Sequence, residues 1–178
     1  MRRREALAEQ MGGAERVARQ HEAGRLTVRE RIARLADPGS FHETGALTGV
    51  PVYEGDRLVE IRPSNFVTGR ARIDGRRVVL GGDDFTVRGG AADGAIGYKA
   101  GYSERMALEL RLPIVRLVDG TGGGGSVKSL ETTRRTYVPA NPAMEIMTEL
   151  LSTVPVVAAA LGPVAGLGAA RVVFSHFS

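Results

Sequence analysis

The 178-residue sequence contains no cysteine and no tryptophan, and it has only four tyrosines, five phenylalanines and three histidines. Without cysteine there is no disulfide framework, thiolate metal site or cysteine nucleophile to consider, which fits a reducing, cytoplasmic setting. His21, His42 and His176 are scattered and share no metal-ligand spacing, so no metal site is expected. No run reaches the roughly 20 apolar residues of a membrane span, and no apolar signal core follows the basic N-terminus, so the chain reads as soluble and unsecreted. Charge of either sign is modest: 24 Lys and Arg against 20 Asp and Glu give a formal +4, with a pI near 9.9. The early arginines alternate with glutamates and apolar residues as on a solvated helix face, and aromatics are not interleaved with them. Nucleic-acid binding is therefore disfavoured, whereas a polyphosphorylated small ligand would use the same charge.

What is present suffices for one ordinary globular domain, since 43% of the residues are hydrophobic. Residues 1 to about 36 read as two helices. The first, Glu5 to Gln20, carries a weak apolar stripe of Leu7, Met11 and Val17. The second opens at Thr27-Val-Arg-Glu30, which has the capping-box spacing, and stops at Asp37-Pro38-Gly39. Tyr53 to Asp56 reads as a surface turn. Asn65 to Ile73 and Arg76 to Gly81 are β-rich runs joined by Asp74-Gly75, a strong hairpin signal.

Three strands are then followed by glycine. The hairpin's second strand leads through Asp83-Asp84 to Gly89-Gly90-Ala91, before a helix predicted over Ile96 to Leu112. Adjacent carboxylates can divide acid and base roles, but neighbours in a strand point to opposite faces, which favours hydrogen-bonding roles for Asp83 and Asp84. Pro113 to Asp119 is the next strand, running into Gly122 to Gly125; Asn141-Pro142 then begins a helix that continues over Met144 to Leu151. Pro155 to Leu161 reads as an interior strand bounded by Gly162-Pro163, followed by Gly166, Leu167 and Gly168 at the head of a helix of small residues. Glycine permits close backbone approach to a ligand, and the first amides of a helix have no partner inside it, so this turn reads as an oxyanion site or as a tight packing turn. The order of elements predicts an α/β layered fold with binding loops at strand ends.

Several landmarks together resemble the N-terminal domain of the carboxyltransferase (β) subunits of biotin-dependent acyl-CoA carboxylases, of the propionyl-CoA and methylcrotonyl-CoA type, a branch of the crotonase superfamily. They are Leu26 to Ile32, Leu35 to Phe41, Gly69 to Val78, Asp84 to Val87 with Gly89-Gly90, and Leu161 to Gly166, in the family's order across nearly the whole chain. Asp119 to Ser129, with its four glycines, departs from the family's usual Ser-Gly-Gly-Ala-Arg-Ile-Gln and resembles a divergent subgroup. The family's Ala-Gly-Gly-Ala turn is Ala165-Gly166-Leu167-Gly168 here, and the Leu167 amide can replace glycine's only if its φ is negative.

The resemblance implies a crotonase (ClpP/crotonase-like) fold of repeated ββα units, with a helical segment over 1–40 and a partial carboxyltransferase N-domain over 41–178. It implies transfer of a carboxyl group from carboxybiotin to the α-carbon of an acyl-CoA through an oxyanion-stabilised enolate. Gly166 and Leu167 are the candidate catalytic donors. Gly89, Gly90, Ala91 and Gly122, Gly123 and Gly124 would line the acyl-CoA pocket, and Arg88 or Lys128 would meet CoA phosphates, unless they are solvated loop charges. The implied partners are a biotin carboxylase and biotin carboxyl carrier subunit, a C-terminal carboxyltransferase domain supplying the other half of the site, and further copies in a hexamer. The family's subunit is roughly three times as long, so a fragment or split portion is expected, inactive alone. The rivals are a non-catalytic assembly subunit and a crotonase-like hydratase, isomerase or thioesterase.

Overall fold

The computed structural model describes residues 2–91, 96, 98–121, 131, 134 and 143–178. Three helices come first: α1 (Arg2–Ala8), α2 (Ala14–Glu22) and α3 (Val28–Leu35). The sequence predicted two. The difference lies between Ala8 and Ala14, where Met11 and Gly13 take positive φ (54° and 93°) and the Gly12 amide donates to Thr86 Oγ1 at 2.9 Å. Helix α3 begins where predicted. Thr27 Oγ1 accepts from the Glu30 amide at 3.3 Å, and Glu30 Oε2 accepts from the Thr27 amide at 2.7 Å, completing the capping box.

The short strand β1 (His42–Glu43) and the eight-residue strand β4 (Phe66–Ile73) flank the separate hairpin of β2 (Gly49–Glu54) and β3 (Arg57–Pro63). Next come β5 (Arg76–Asp83), helix α4 (Lys99–Leu110), β6 (Ile114–Thr121), helix α5 (Ala143–Thr153), β7 (Val156–Ala165) and helix α6 (Leu167–Val173). Asp74 and Gly75 both take positive φ, 49° and 76°, as the β4–β5 hairpin requires. Helix α4 is shorter than predicted because Tyr98 and Arg111 are left-handed, with φ of 51° and 49°, and close it at both ends.

The main sheet runs β1-β4-β5-β6-β7, antiparallel across its first three strands and parallel across the last three. Helix α3 covers one face, where Val28, Ile32 and Ala36 pack on Val67, Ala71, Val78, Leu80 and Leu117. Helices α4 and α5 cover the other, where Met106, Ala107, Leu150 and Val154 pack on Val79, Ile114 and Val156. The result is a three-layer α/β core with the C-terminal ends of β5, β6 and β7 side by side.

Strand β7 departs from expectation in two respects. It passes through Gly162-Pro163 to Ala165 instead of stopping there, and it lies at the sheet's edge instead of its interior. The two facts share a cause, because an edge strand tolerates a proline that cannot donate to a further ladder. Phe177 begins to pair on its outer side, in parallel with Val157.

The cap of α3 gives a test. The hydrogen bond from His21, followed by those from the Thr27 amide and hydroxyl, holds the Glu30 carboxyl down to about 2 from its ordinary 4.5. A lowered carboxyl pKa stabilises the fold above the unfolded value and loses that contribution as pH falls through the folded one. The stability difference between the protein and Glu30→Gln, read from denaturant midpoints, should therefore hold above pH 4.5 and vanish towards pH 2; a difference independent of pH would contradict the cap assignment. Thr27→Ala should cost about 1 kcal/mol at neutral pH.

Candidate functional site

The chain after β5, the end of β6 and the first turn of α6 come together at Gly90, Gly120 and Gly168. After β5 the chain turns through Arg88, Gly89 and Gly90, all with positive φ (56°, 61° and 66°). A Cβ on Gly90 would stand 2.6 Å from the Asp119 carbonyl oxygen and 2.8 Å from Gly120 Cα, and one on Gly168 would stand 3.0 Å from the Gly120 carbonyl oxygen. The turn after β5, the end of β6 and the first turn of α6 thus lie backbone to backbone at Gly90, Gly120 and Gly168, and between Gly90 and Gly120 no side chain fits. Asn65 Nδ2 fastens the first turn from below by donating to the Ala91 carbonyl at 2.6 Å.

Gly166, exposed at the end of β7, has φ 56° and ψ −123°, which only glycine adopts without strain. Leu167 is not among the residues with positive φ and opens α6, so the condition on its φ is met and leucine is accommodated here without strain. The Leu167 and Gly168 amides belong to the first turn of α6 and have no partner within it.

The pocket-lining residues fare unevenly. The Gly90 and Ala91 amides are engaged by the Val87 and Arg88 carbonyls at 3.2 and 3.1 Å, so this turn offers shape rather than donors. Arg88 is exposed at its edge. Gly122, Gly123, Gly124 and Lys128 lie outside the described residues. Asp83 and Asp84 are both buried, each with partners of its own: Asp84 Oδ1 accepts from the Thr86 amide and hydroxyl at 3.0 and 2.6 Å, and burial pushes its carboxyl pKa up. Among the described residues no group of His, Cys, Asp and Glu could hold a metal ion.

Asp83 belongs to a buried line of charge beneath the glycine ends. Arg31 of α3 lies 2.6 Å from the Asp119 carboxylate and donates to the Leu161 carbonyl of β7 at 3.1 Å. The Asp119 amide donates to Asp83 Oδ2 at 3.2 Å, while Asp83 Oδ1 pairs with Arg171 of α6 at 3.1 Å. Glu104 of α4 sits 4.0 Å from Arg171 and 3.0 Å from Arg116. Arg116 Nη1 in turn donates to the Arg171 and Phe174 carbonyls at 3.0 and 2.6 Å, capping the C-terminal end of α6. Three arginines balance three carboxylates, and the line crosses the sheet from the α3 side to the α4 side.

Asp119 and Arg116 are 0% exposed and Glu104 1%. Several of their nitrogens and oxygens lack an aligned hydrogen bond despite these short separations, so the Arg31–Asp119 and Arg116–Glu104 pairs are held by charge more than by directed donors. Burial pushes the Glu104 carboxyl pKa up, against the pull of Arg116 and Arg171. Residue-by-residue reading missed this line. Its signal was Arg116 alone in the apolar run Pro113 to Val118, since an arginine mid-strand among β-formers has to find a buried partner.

A family model, the carboxyl transferase domain, matches residues 19–178. The chain belongs to the carboxyltransferase family. It is 38% identical over 125 residues to the human mitochondrial propionyl-CoA carboxylase beta chain, covering 62% of this chain and 21% of that protein. It is also 38% identical over 112 residues to the methylmalonyl-CoA decarboxylase subunit alpha of Veillonella parvula, covering 62% and 22%. A solved structure of transcarboxylase 12S, described as a hexamer with methylmalonyl-coenzyme A bound, superposes with a TM-score of 0.75 at 30% identity, covering 97% of this chain and 33% of that one. The fold is the crotonase-like fold of these carboxyltransferases, and the chain spans between a fifth and a third of the length of these relatives.

The charge line gives the next test. Glu104→Gln leaves the buried Arg116 without its carboxylate, while Arg171 keeps Asp83, and breaking a buried pair from one side costs about 3–5 kcal/mol. Equilibrium denaturation should show a loss of that order, and Glu104→Met combined with Arg116→Met should lose less than Glu104→Gln alone; a loss under about 1 kcal/mol for Glu104→Gln would mean the pairs are solvated.

Proposed function

We propose that this chain forms the N-domain half of a carboxyltransferase site that moves a carboxyl group from carboxybiotin to the α-carbon of an acyl-CoA. The observation that carries the reading is the turn at Gly166-Leu167 within a chain of this family. A thioester carbonyl placed there would meet backbone donors fixed before the reaction begins. Enolate formation puts negative charge on that oxygen, and one preorganised donor of this kind contributes about 2.7–4 kcal/mol to the barrier. The meeting of Gly90, Gly120 and Gly168 fits an extended thioester, since a flat backbone surface lets the substrate lie close to the strand ends.

Biotin on the carrier protein would supply the carboxyl group and, once free of it, the base for the α-proton. This chain's own work is then to hold and polarise. Asp83, Glu104 and Asp119 are each committed to arginine, which speaks against the hydratase, isomerase and thioesterase readings because those need a free carboxylate beside the oxyanion. The other half of the site would come from a C-terminal domain, with a biotin carboxylase and carrier subunit as partners and a hexamer as the assembly. The same geometry serves carboxylation and, in reverse, decarboxylation; the relatives named above include both.

The test uses the complete carboxyltransferase with its biotinylated partner. Gly166→Pro removes an amide and forces φ negative, and kcat for acyl-CoA carboxylation should fall by at least about 10² to 10³ with KM nearly unchanged. An unchanged kcat would remove the oxyanion assignment.

A further inference from the structure

At the opposite end of the sheet, strands β1, β4 and β5 run on past the last turn of α4 and leave part of one face uncovered. The residues on that face follow from register. His42 pairs with Arg70, and Arg72 pairs with Arg77, so all four side chains leave the sheet on the side that α4 covers further along. With Leu110 and Leu112 from the end of α4 they line a half-open pocket of about 390 Å3. That volume lies within the range of small-molecule sites.

The electrostatics of this pocket are one-sided. Among the described residues no carboxylate lines it. Arg70 and Arg77 meet no acidic partner among the described residues, and Arg72 donates to the Gly75 carbonyl at 2.7 Å. Asp37, beside the β4–β5 turn, is already committed to the Asp74 and Gly75 amides at 2.9 and 2.8 Å. Arg72 and Arg77 stand directly opposite each other on neighbouring strands, where like charges destabilise a sheet. A bound anion would turn that repulsion into a binding contribution, and guanidinium forks match a phosphoryl group's oxygens. The apolar wall differs in kind: Leu110 is 47% exposed on the rim of a basic pocket, where inorganic phosphate alone would leave it in water.

We propose that this pocket binds an organic phosphate, its phosphoryl group on Arg70, Arg72 and Arg77 and its apolar part on Leu110 and Leu112. It is separate from the carboxyltransferase site. Arg77 and Asp83 are six residue steps apart on β5, a separation of about 20 Å along the strand. The inference does not depend on the reaction proposed above.

Phenyl phosphate and inorganic phosphate serve as probes, titrated calorimetrically into the full chain at low ionic strength, where exposed charge is least screened. Phenyl phosphate should bind saturably and more tightly than inorganic phosphate. Arg70→Gln combined with Arg77→Gln should weaken both by about tenfold or more. Leu110→Ser should weaken phenyl phosphate alone, by about threefold to tenfold. Arg77→Gln should also raise the melting temperature without ligand while shrinking the rise that phenyl phosphate gives, a pair of shifts that a purely structural arginine would not produce. Circular dichroism checks that the double variant is folded; if it is not, Arg77→Lys, which keeps the charge and loses the fork, must still weaken phenyl phosphate. No saturable binding by the unmodified chain, or equal binding by the folded arginine variants, would overturn the proposal. Equal binding of the two probes would overturn its organic part.

Discussion

A charge taken out of water must find its opposite, and in this protein six of them do so in one line through the middle of the fold. Arg31, Asp119, Asp83, Arg171, Glu104 and Arg116 come from α3, α4, α6, β5 and β6, and each holds a neighbouring element as well as a neighbouring charge. Hydrophobic packing can place two helices and a sheet in layers while still allowing them to slide. An ion pair such as Arg116 with Glu104, both almost wholly buried, permits no such sliding without stranding a charge in the interior.

This constraint matters because the glycine ends above it have no side chains to lock them. Gly90, Gly120 and Gly168 touch only by backbone, so their contact must be fixed from outside. Arg31 ties α3 to β6 through Asp119 and to β7 through the Leu161 carbonyl. Arg171 ties α6 to β5, and Arg116 closes the far end of α6 through two carbonyls. The turn at Gly166-Leu167 stands at the near end of that same helix. A backbone donor such as the one proposed at this turn is effective only when its direction is fixed by the fold, and the charges are what fix this helix.

Much of this could be read from residue order. The capping box at Thr27-Glu30 and the Asp74-Gly75 hairpin are local signals whose meaning does not depend on distant partners, and each lies where its chemistry requires. The elements that were misread depend on tertiary placement. Gly162-Pro163 ends a strand by propensity, yet β7 continues because its outer edge makes no such demand there. Leu167 in place of glycine raised a question of φ that no sequence can answer. The charge line shows in the sequence only as Arg116 in an apolar run, because its members are spread from residue 31 to residue 171 and meet only after the sheet has formed.

The claim that these six charges act as one body is tested most directly by a double-mutant cycle between its two sides of the sheet. Arg31→Met and Glu104→Gln touch no common atom, and independent sites so placed add to within about 0.3–0.5 kcal/mol. A continuous line predicts a coupling clearly above that limit in equilibrium denaturation, whereas simple additivity would show two separate buried pairs and contradict the account.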